Sequence, residues 1–448
     1  MKNKAMPDGY LMSKSYSFYV FGLLFLLYMF DYMDRMVVVA LFPYLKSDWG
    51  LSDTQCGLLV SAVYWSIVVL SVPISVVIDR WSRKKSIGLM AVIWSLATAA
   101  CAFTTSFSQL FVARTVIGVG EAGYAPGGTA MLSALFPERI RSMMVGLFTA
   151  ALPMGSAIGI VVGGIIAARF GWRHAFGIVA LPGFVIAILF FFVRDYKTVG
   201  LEKTVGLEKT VDLEKTVDLE KTVDHSSELK KQMSAIDIIR QFTRTPSLIL
   251  TYIAFAGSMF LTASYLSWLP SYFHRVNNVP MEKAALMSSG VMILAIIGFP
   301  LGGFLVDRWR RTRVNARLLF PAITSFLTAV VFFCAFFYFT GSKQYYLLLL
   351  GGVLASAFSP AAIAVTQDVV HPGLRATSYS FCVIAQNLLG ASLGPLFVGM
   401  ISDKYDIKTA LTIVPAAALV AAILFFIGSL FYRRDLAKVE RVEICVEK

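Results

Sequence analysis

Ser75-Val76-Val77-Ile78-Asp79-Arg80-Trp81-Ser82-Arg83-Lys84-Lys85 closes one long apolar run, and Asp307-Arg308-Trp309-Arg310-Arg311 closes the equivalent run in the second half of the chain. A carboxylate at the end of one helix can sit against the N-terminus of another, where free N–H groups and the helix dipole favour negative charge. The basic residues beside it then meet water and anionic headgroups. The same device at matching places in two halves suggests a paired gate, built from Asp79, Arg80, Arg83, Asp307 and Arg308. The plainer alternative is that the basic clusters only set membrane orientation.

The apolar runs around these tracts define the solvent. Of 448 residues, 57% are hydrophobic and 15% charged, against about 25% charged in a soluble domain. Runs of about 20 apolar residues, each long enough to cross a hydrocarbon core, recur at 17–43, 55–78, 86–105, 109–132, 142–168 and 173–193. They recur again at 247–273, 284–306, 316–340, 344–366, 376–401 and 408–432. Helices are expected, because open sheet edges cannot face lipid. The first run carries charge and lacks a small-residue cleavage site, so it reads as a retained span. The net charge of +13 sits mostly between spans. It reads as topology rather than nucleic-acid binding, with both termini cytoplasmic. Residues 195–245 break the pattern with a six-residue repeat beginning Lys197-Thr198-Val199-Gly200-Leu201-Glu202. No single helical stripe results, and the segment reads as a solvated linker between residues 1–194 and 246–448.

Enzyme chemistry finds little support. His174, His225, His274 and His371 are far apart, and the five cysteines are scattered without a CxxC pair. Neither a metal site nor a cofactor is expected. No Walker A loop is present, so nucleotide is not the expected energy source.

The tract Ser75–Lys85 resembles the inner-loop signature of the major facilitator superfamily. Ser75 stands where that signature has Gly, whereas the second half keeps Gly303. The resemblance covers nearly the whole chain apart from the linker and tails. It implies an all-α membrane protein of about twelve transmembrane helices in two pseudo-symmetric six-helix bundles, working by alternating access, with inverted repeats inside each half.

Charges inside the spans carry the functional expectation. The fourth run reads Arg114-Thr-Val-Ile-Gly118-Val-Gly120-Glu121-Ala-Gly123-Tyr124-Ala-Pro126. Arg114 and Glu121 share a face but lie about 10 Å apart along the axis, so each needs another partner. Asp31, Asp34 and Arg35 in the first span are spaced i,i+3 and i,i+4 and crowd one side. Depth places Arg114 opposite Asp31 or Asp34 and brings Arg35 towards Glu121. Burial raises a carboxyl pKa and a nearby Arg lowers it, so the group could act as a proton switch. A structural ion pair locking two helices is the alternative.

Asp34-Arg35 together with the Gly-rich tract around Glu121 is most similar to the spinster-like branch, and next to the organic-anion symporter branch. That resemblance implies coupling roles for Asp34, Arg35, Arg114 and Glu121, and a lysophospholipid-like cargo. Gly155, Gly159 and Gly163 form a small-xxx-small ladder suited to close helix contact. The ladder resembles the antiporter signature of the superfamily, but Ile160 stands where that signature has Pro. In the second half, Tyr265, Trp268, Gln386 and Asn387, with Tyr124 from the first, are candidate substrate contacts. Interfacial aromatic belts and helix-gluing amides are the alternative readings. The expected partners are an amphipathic or anionic small molecule, protons and membrane lipids, with no nucleic acid, and the chain is expected to be monomeric.

Overall fold

A computed structural model describes residues 10, 12–80, 83–194, 241–371 and 374–439; several side chains, those of Ser75–Arg80 and Arg83 included, fall outside the description. The gate expected of Asp79, Arg80 and Arg83 therefore lies outside the described side chains. The repeat at 195–240 lies outside altogether.

Among the described residues there is helix and no strand. The first half holds α1 (Lys14–Trp49), α2 (Asp53–Arg80), α3 (Arg83–Cys101), α4 (Phe107–Glu121), α5 (Tyr124–Leu135), α6 (Glu138–Thr149), α7 (Ala151–Phe170) and α8 (Trp172–Phe190). The second half holds α9 (Pro246–Arg275), α10 (Met281–Arg310), α11 (Ala316–Phe337), α12 (Gly341–Ala357), α13 (Ser359–Asp368), α14 (Arg375–Ala385), α15 (Leu393–Lys404), α16 (Ile407–Ile413) and α17 (Pro415–Ala437). A π-helical segment, Gln386–Ala391, joins α14 to α15. Nine helical segments among the described residues are long and apolar enough to cross a membrane. Large apolar side chains such as Leu181, Phe192, Phe304 and Leu430 face outwards, where hydrocarbon rather than water is the fitting neighbour.

Local chemistry sets the ends and the breaks. α1 stops at Gly50, whose φ of +64° lets its N–H close back on the Lys46 carbonyl, a left-handed cap that glycine adopts without strain. Ser106 caps α4 by accepting from the Gln109 N–H. Several expected spans are interrupted. The fourth breaks after Glu121, in a Gly-rich tract with low helix propensity. The tenth and twelfth break where Pro360 and Pro415 occupy the first turn of the next helix. Membrane helices tolerate such breaks when neighbours satisfy the freed backbone groups.

Glycine decides which helices touch. A Cβ on Gly155 or Gly159 would collide with the backbone of Met29 or Met33 on α1, and one on Gly163 would press on Val37. The ladder thus seats α7 flat against the part of α1 that bears the charges. In the second half Gly390 and Gly394 lie equally close to Ala256 and Phe260 of α9. Corresponding helices in the two halves use the same device.

The halves meet through α2 with α15, α7 with α10, and α1 with α9. Several contacts gather on the face that carries the 49–53 turn. Asp48 accepts from Trp172 and pairs with Arg173; Arg169 approaches Glu282; Asp53 meets Arg275. On the opposite face Asp307 and Arg308 are exposed and make no ion pair with a described residue. The residues expected to face them, Asp79, Arg80 and Arg83, lie outside the described side chains.

Replacing Gly159 with Leu should lower the thermal unfolding midpoint markedly, since overpacking costs about 1–3 kcal/mol even where a core can adjust. Gly22→Ala, at a position with open space around it, should be neutral by the same scanning fluorimetry.

Candidate functional site

The site is a charge cluster sealed between α1, α2, α3 and α4. Asp31, Asp34, Arg35, Arg114 and Glu121 are all buried, none more than 6% exposed. Three carboxylates face two guanidiniums, so the group cannot be neutral with every member ionised.

Arg35 is the bridge. Its Nη2 lies 2.8 Å from Glu121 Oε2 and 3.3 Å from Asp31 Oδ2. The contact with Glu121 is a close ion pair but not an aligned hydrogen bond, since both Glu121 oxygens remain without a hydrogen-bond donor. The guanidinium sits over two rings, 4.4 Å from the Tyr32 centroid and 5.4 Å from that of Tyr64. Cation–π attraction of this kind strengthens where the cation has left water. The aromatic faces thus hold Arg35 at the cluster independently of its acidic partners. Tyr32 and Tyr64 were missed from the sequence, because a tyrosine in an apolar run gives no local sign of the ring's orientation.

Arg35 reaches Glu121, the partner expected of it. Arg114 does not meet the carboxylate of Asp31 or Asp34. Its Nη1 and Nη2 donate instead to the backbone carbonyls of Asp34 (3.1 Å) and Arg35 (2.9 Å), and its Nε to the Leu59 carbonyl on α2 (3.1 Å). Axial rise fixed the level of Arg114, but the rotation of α4 came from packing. Gly118 abuts Val63 and Ser66 on α2, and Gly120 abuts Met90 and Trp94 on α3. That seating brings the Arg114 fork to the α1 backbone, so it stitches three helices together.

Asp34 is consequently left alone. Its side chain is fully buried, and both oxygens lack a hydrogen-bond partner among the described residues. The buried Thr98 hydroxyl on α3 lies beside it, likewise without an aligned hydrogen bond among the described residues.

The other candidates separate into two groups. Tyr124 is fully buried, donates to the Leu24 carbonyl at 2.5 Å and packs edge-on against Trp94. Tyr265 donates to the Leu411 carbonyl at 2.9 Å and stacks on Phe332 and Phe336. Trp268 donates to the Pro395 carbonyl at 2.9 Å and contacts Phe42 across the halves. All three side chains are buried. Gln386 and Asn387 are half-buried in the π segment, which touches α9 and α2, and the Gln386 amide donates to the Cys382 sulfur at 3.1 Å. π segments interrupt regular helices often at functional sites.

Intramembrane charges on Gly-seated helices, in two halves that repeat one packing device, match a family profile over residues 24–395, that of the Major Facilitator Superfamily. The chain belongs to the Major Facilitator Superfamily. It is a multi-pass integral membrane protein of that fold, a secondary active transporter working by alternating access, related to the spinster-like branch. It is 25% identical over 389 residues to the hexuronate transporter of Bacillus subtilis (strain 168), covering 85% of this chain and 87% of the relative. It is also 25% identical over 449 residues to protein spinster homolog 1 of Xenopus laevis, covering 93% and 81%. The crystal structure of a bacterial homolog to the human lysosomal transporter Spinster, inward-facing and unoccupied, superposes with a TM-score of 0.80. It has 21% identity and covers 95% of this chain and 99% of that one. In this superfamily member the cluster stands in the first half, and α9, α10 and α11 carry no Asp, Glu, Lys, Arg or His at mid-length.

Arg114→Lys should destabilise the purified protein by about 1.5–3 kcal/mol, because an ammonium cannot serve three carbonyls held in a fixed fork. Arg35→Lys should cost less. Chemical denaturation or thermal unfolding in detergent checks the order.

Proposed function

We propose that this chain is a proton-coupled transporter of an amphipathic, lysophospholipid-like small molecule. In this reading twelve helices form two six-helix bundles, residues 1–194 and 246–448, joined by a cytoplasmic linker at 195–245. Both termini face the cytoplasm, and the chain works as a monomer in the plasma membrane if its host is a bacterium. The side holding the 49–53 turn is then the outer one, and Asp79, Arg80, Arg83, Asp307 and Arg308 belong to the inner gate.

The observation that supports proton coupling is the imbalance of the cluster. Arg35 serves Asp31 and Glu121, Arg114 spends its donors on carbonyls, and Asp34 has no cation within ion-pair distance among the described residues. An isolated ionised carboxylate out of water is costly. One proton on an acid neutralises the group, and Asp34 is the acid best placed to hold it. When the halves rearrange, Arg35 can leave Glu121 for the substrate's anionic head, and a proton takes its place there. The second half supplies an apolar wall, with Gln386 and Asn387 as its polar contacts and Tyr124, Tyr265 and Trp268 as the packing behind the walls.

The relation to the hexuronate transporter favours a second reading, a proton-coupled symporter of a sugar acid or carboxylate. A thermal-shift screen separates the two: lysophospholipids should raise the unfolding temperature of the purified protein and hexuronates should not, since a ligand stabilises the state it binds.

In proteoliposomes with an imposed pH gradient, Asp34→Asn and Glu121→Gln should abolish gradient-driven accumulation of a labelled lysophospholipid while leaving exchange across the membrane. Accumulation at the unmodified rate in both variants would overturn proton coupling through this cluster.

A further inference from the structure

The 49–53 face is closed by a polar assembly that the coupling cluster does not use. The Asp53 carboxylate, at the first turn of α2, is 3% exposed as a residue and accepts four hydrogen bonds. Lys46 Nζ reaches Oδ1 at 2.6 Å; Arg275 Nη2 and Nη1 reach Oδ1 and Oδ2 at 2.7 Å each; Ser402 Oγ reaches Oδ2 at 2.5 Å. Lys46 belongs to the same half as Asp53, whereas Arg275 and Ser402 belong to the other. One residue further along α15, Asp403 reaches back and accepts from the N–H groups of Asp53 and Thr54, both at 2.7 Å, and from the Thr54 hydroxyl at 2.6 Å. The free N–H groups at the start of α2 are thus capped by a carboxylate from the opposite half, where the helix dipole also favours it.

The arrangement is reciprocal. Each half contributes an aspartate, and each aspartate is satisfied by groups that include donors from the other half. Two carboxylates and two cations leave the assembly neutral. Below it the halves interlock tightly: Gly57 abuts the Pro395 backbone, Gly399 abuts Asp53 and Thr54, and the Ser61 hydroxyl donates to the Ser392 carbonyl at 2.5 Å. Trp268 lies against Phe42 from one side and within 5.9 Å of the Arg275 guanidinium.

We propose that Asp53 and Asp403 form a latch that holds this face shut, and that opening the transporter on this side requires both to exchange their cross-half donors for water. Charge-assisted, bidentate contacts between partly desolvated groups are the strong kind of hydrogen bond, so the latch sets how often the face opens. Lys46 moves with Asp53 and keeps it neutralised in the open state, which allows the latch to close again. The latch depends on alternating access alone, and it stands whether or not a proton drives transport.

The test reads conformation, not flux. Ser61→Cys places a thiol beneath the latch at a position with no exposure. The full-length protein in nanodiscs is treated with a polar maleimide, and modification at position 61 is followed by peptide mass spectrometry. Adding Asp53→Asn should raise the rate about tenfold, and Arg275→Gln should do likewise. The two together should exceed neither by much, because both break one contact. Asp403→Asn replaces an exposed carboxylate with an amide, should fold normally, and should raise the rate several-fold. A Thr54→Cys/Asp403→Cys pair, oxidised to a disulfide, should return the Asp53→Asn protein to slow labelling. Rates within twofold of the parent for both Asp53→Asn and Asp403→Asn, or single effects that multiply in the double variant, would overturn the latch.

Discussion

Arg35 holds two acids from different helices while its guanidinium lies against two tyrosine rings, and the rest of the first half is arranged to allow it. A charge taken out of water must find opposite charge or dipoles, or it becomes neutral. Arg114 takes dipoles, Arg35 takes charges, and Asp34 takes neither. This division follows from how closely the backbones approach. Without glycines at 118, 120, 155 and 159, α4 and α7 would stand further from their neighbours. Arg114 could not then reach the α1 carbonyls as it does.

The same helix links the cluster to the closed face. Arg35 and Lys46 are eleven residues apart on α1, about 16 Å along the axis. Any reorientation of α1 therefore moves Arg35 and Lys46 together and, through the Gly50 turn, the start of α2 where Asp53 stands. α1 also packs on α9, which carries Arg275 at its end. The two polar centres differ in kind. Buried groups in the cluster keep unmet hydrogen-bonding capacity, whereas every oxygen of Asp53 is satisfied. An unsatisfied centre is suited to exchange partners, and a satisfied one is suited to hold.

The second half repeats the packing but not the chemistry. Gly390 and Gly394 bring the π segment and α15 onto α9 much as Gly155 and Gly159 bring α7 onto α1. Where α1 has Asp31, Asp34 and Arg35, the same register on α9 holds Ser258, Leu261 and Thr262. One packing device thus carries charge in the first half and none at the corresponding positions of the second.

Much of this was legible in the chain itself. Run lengths and scarce charge fixed a helical membrane protein, because the bilayer leaves no other way to satisfy a spanning backbone. Spacing along α1 and α4 placed Arg114 at the depth of Asp31–Arg35 and Glu121 within reach of Arg35, because helical rise is constant. The small-xxx-small ladder announced a close contact. What spacing cannot supply is rotation about the helix axis, which depends on contacts with several neighbours at once. For that reason the partners of Arg114, the isolation of Asp34 and the burial of Tyr124, Tyr265 and Trp268 were decided only by the tertiary structure. The Asp53 assembly was hidden most completely, since Asp53 and Asp403 are 350 residues apart and each alone reads as an ordinary aspartate near a helix end. Only the meeting of the two halves makes them partners.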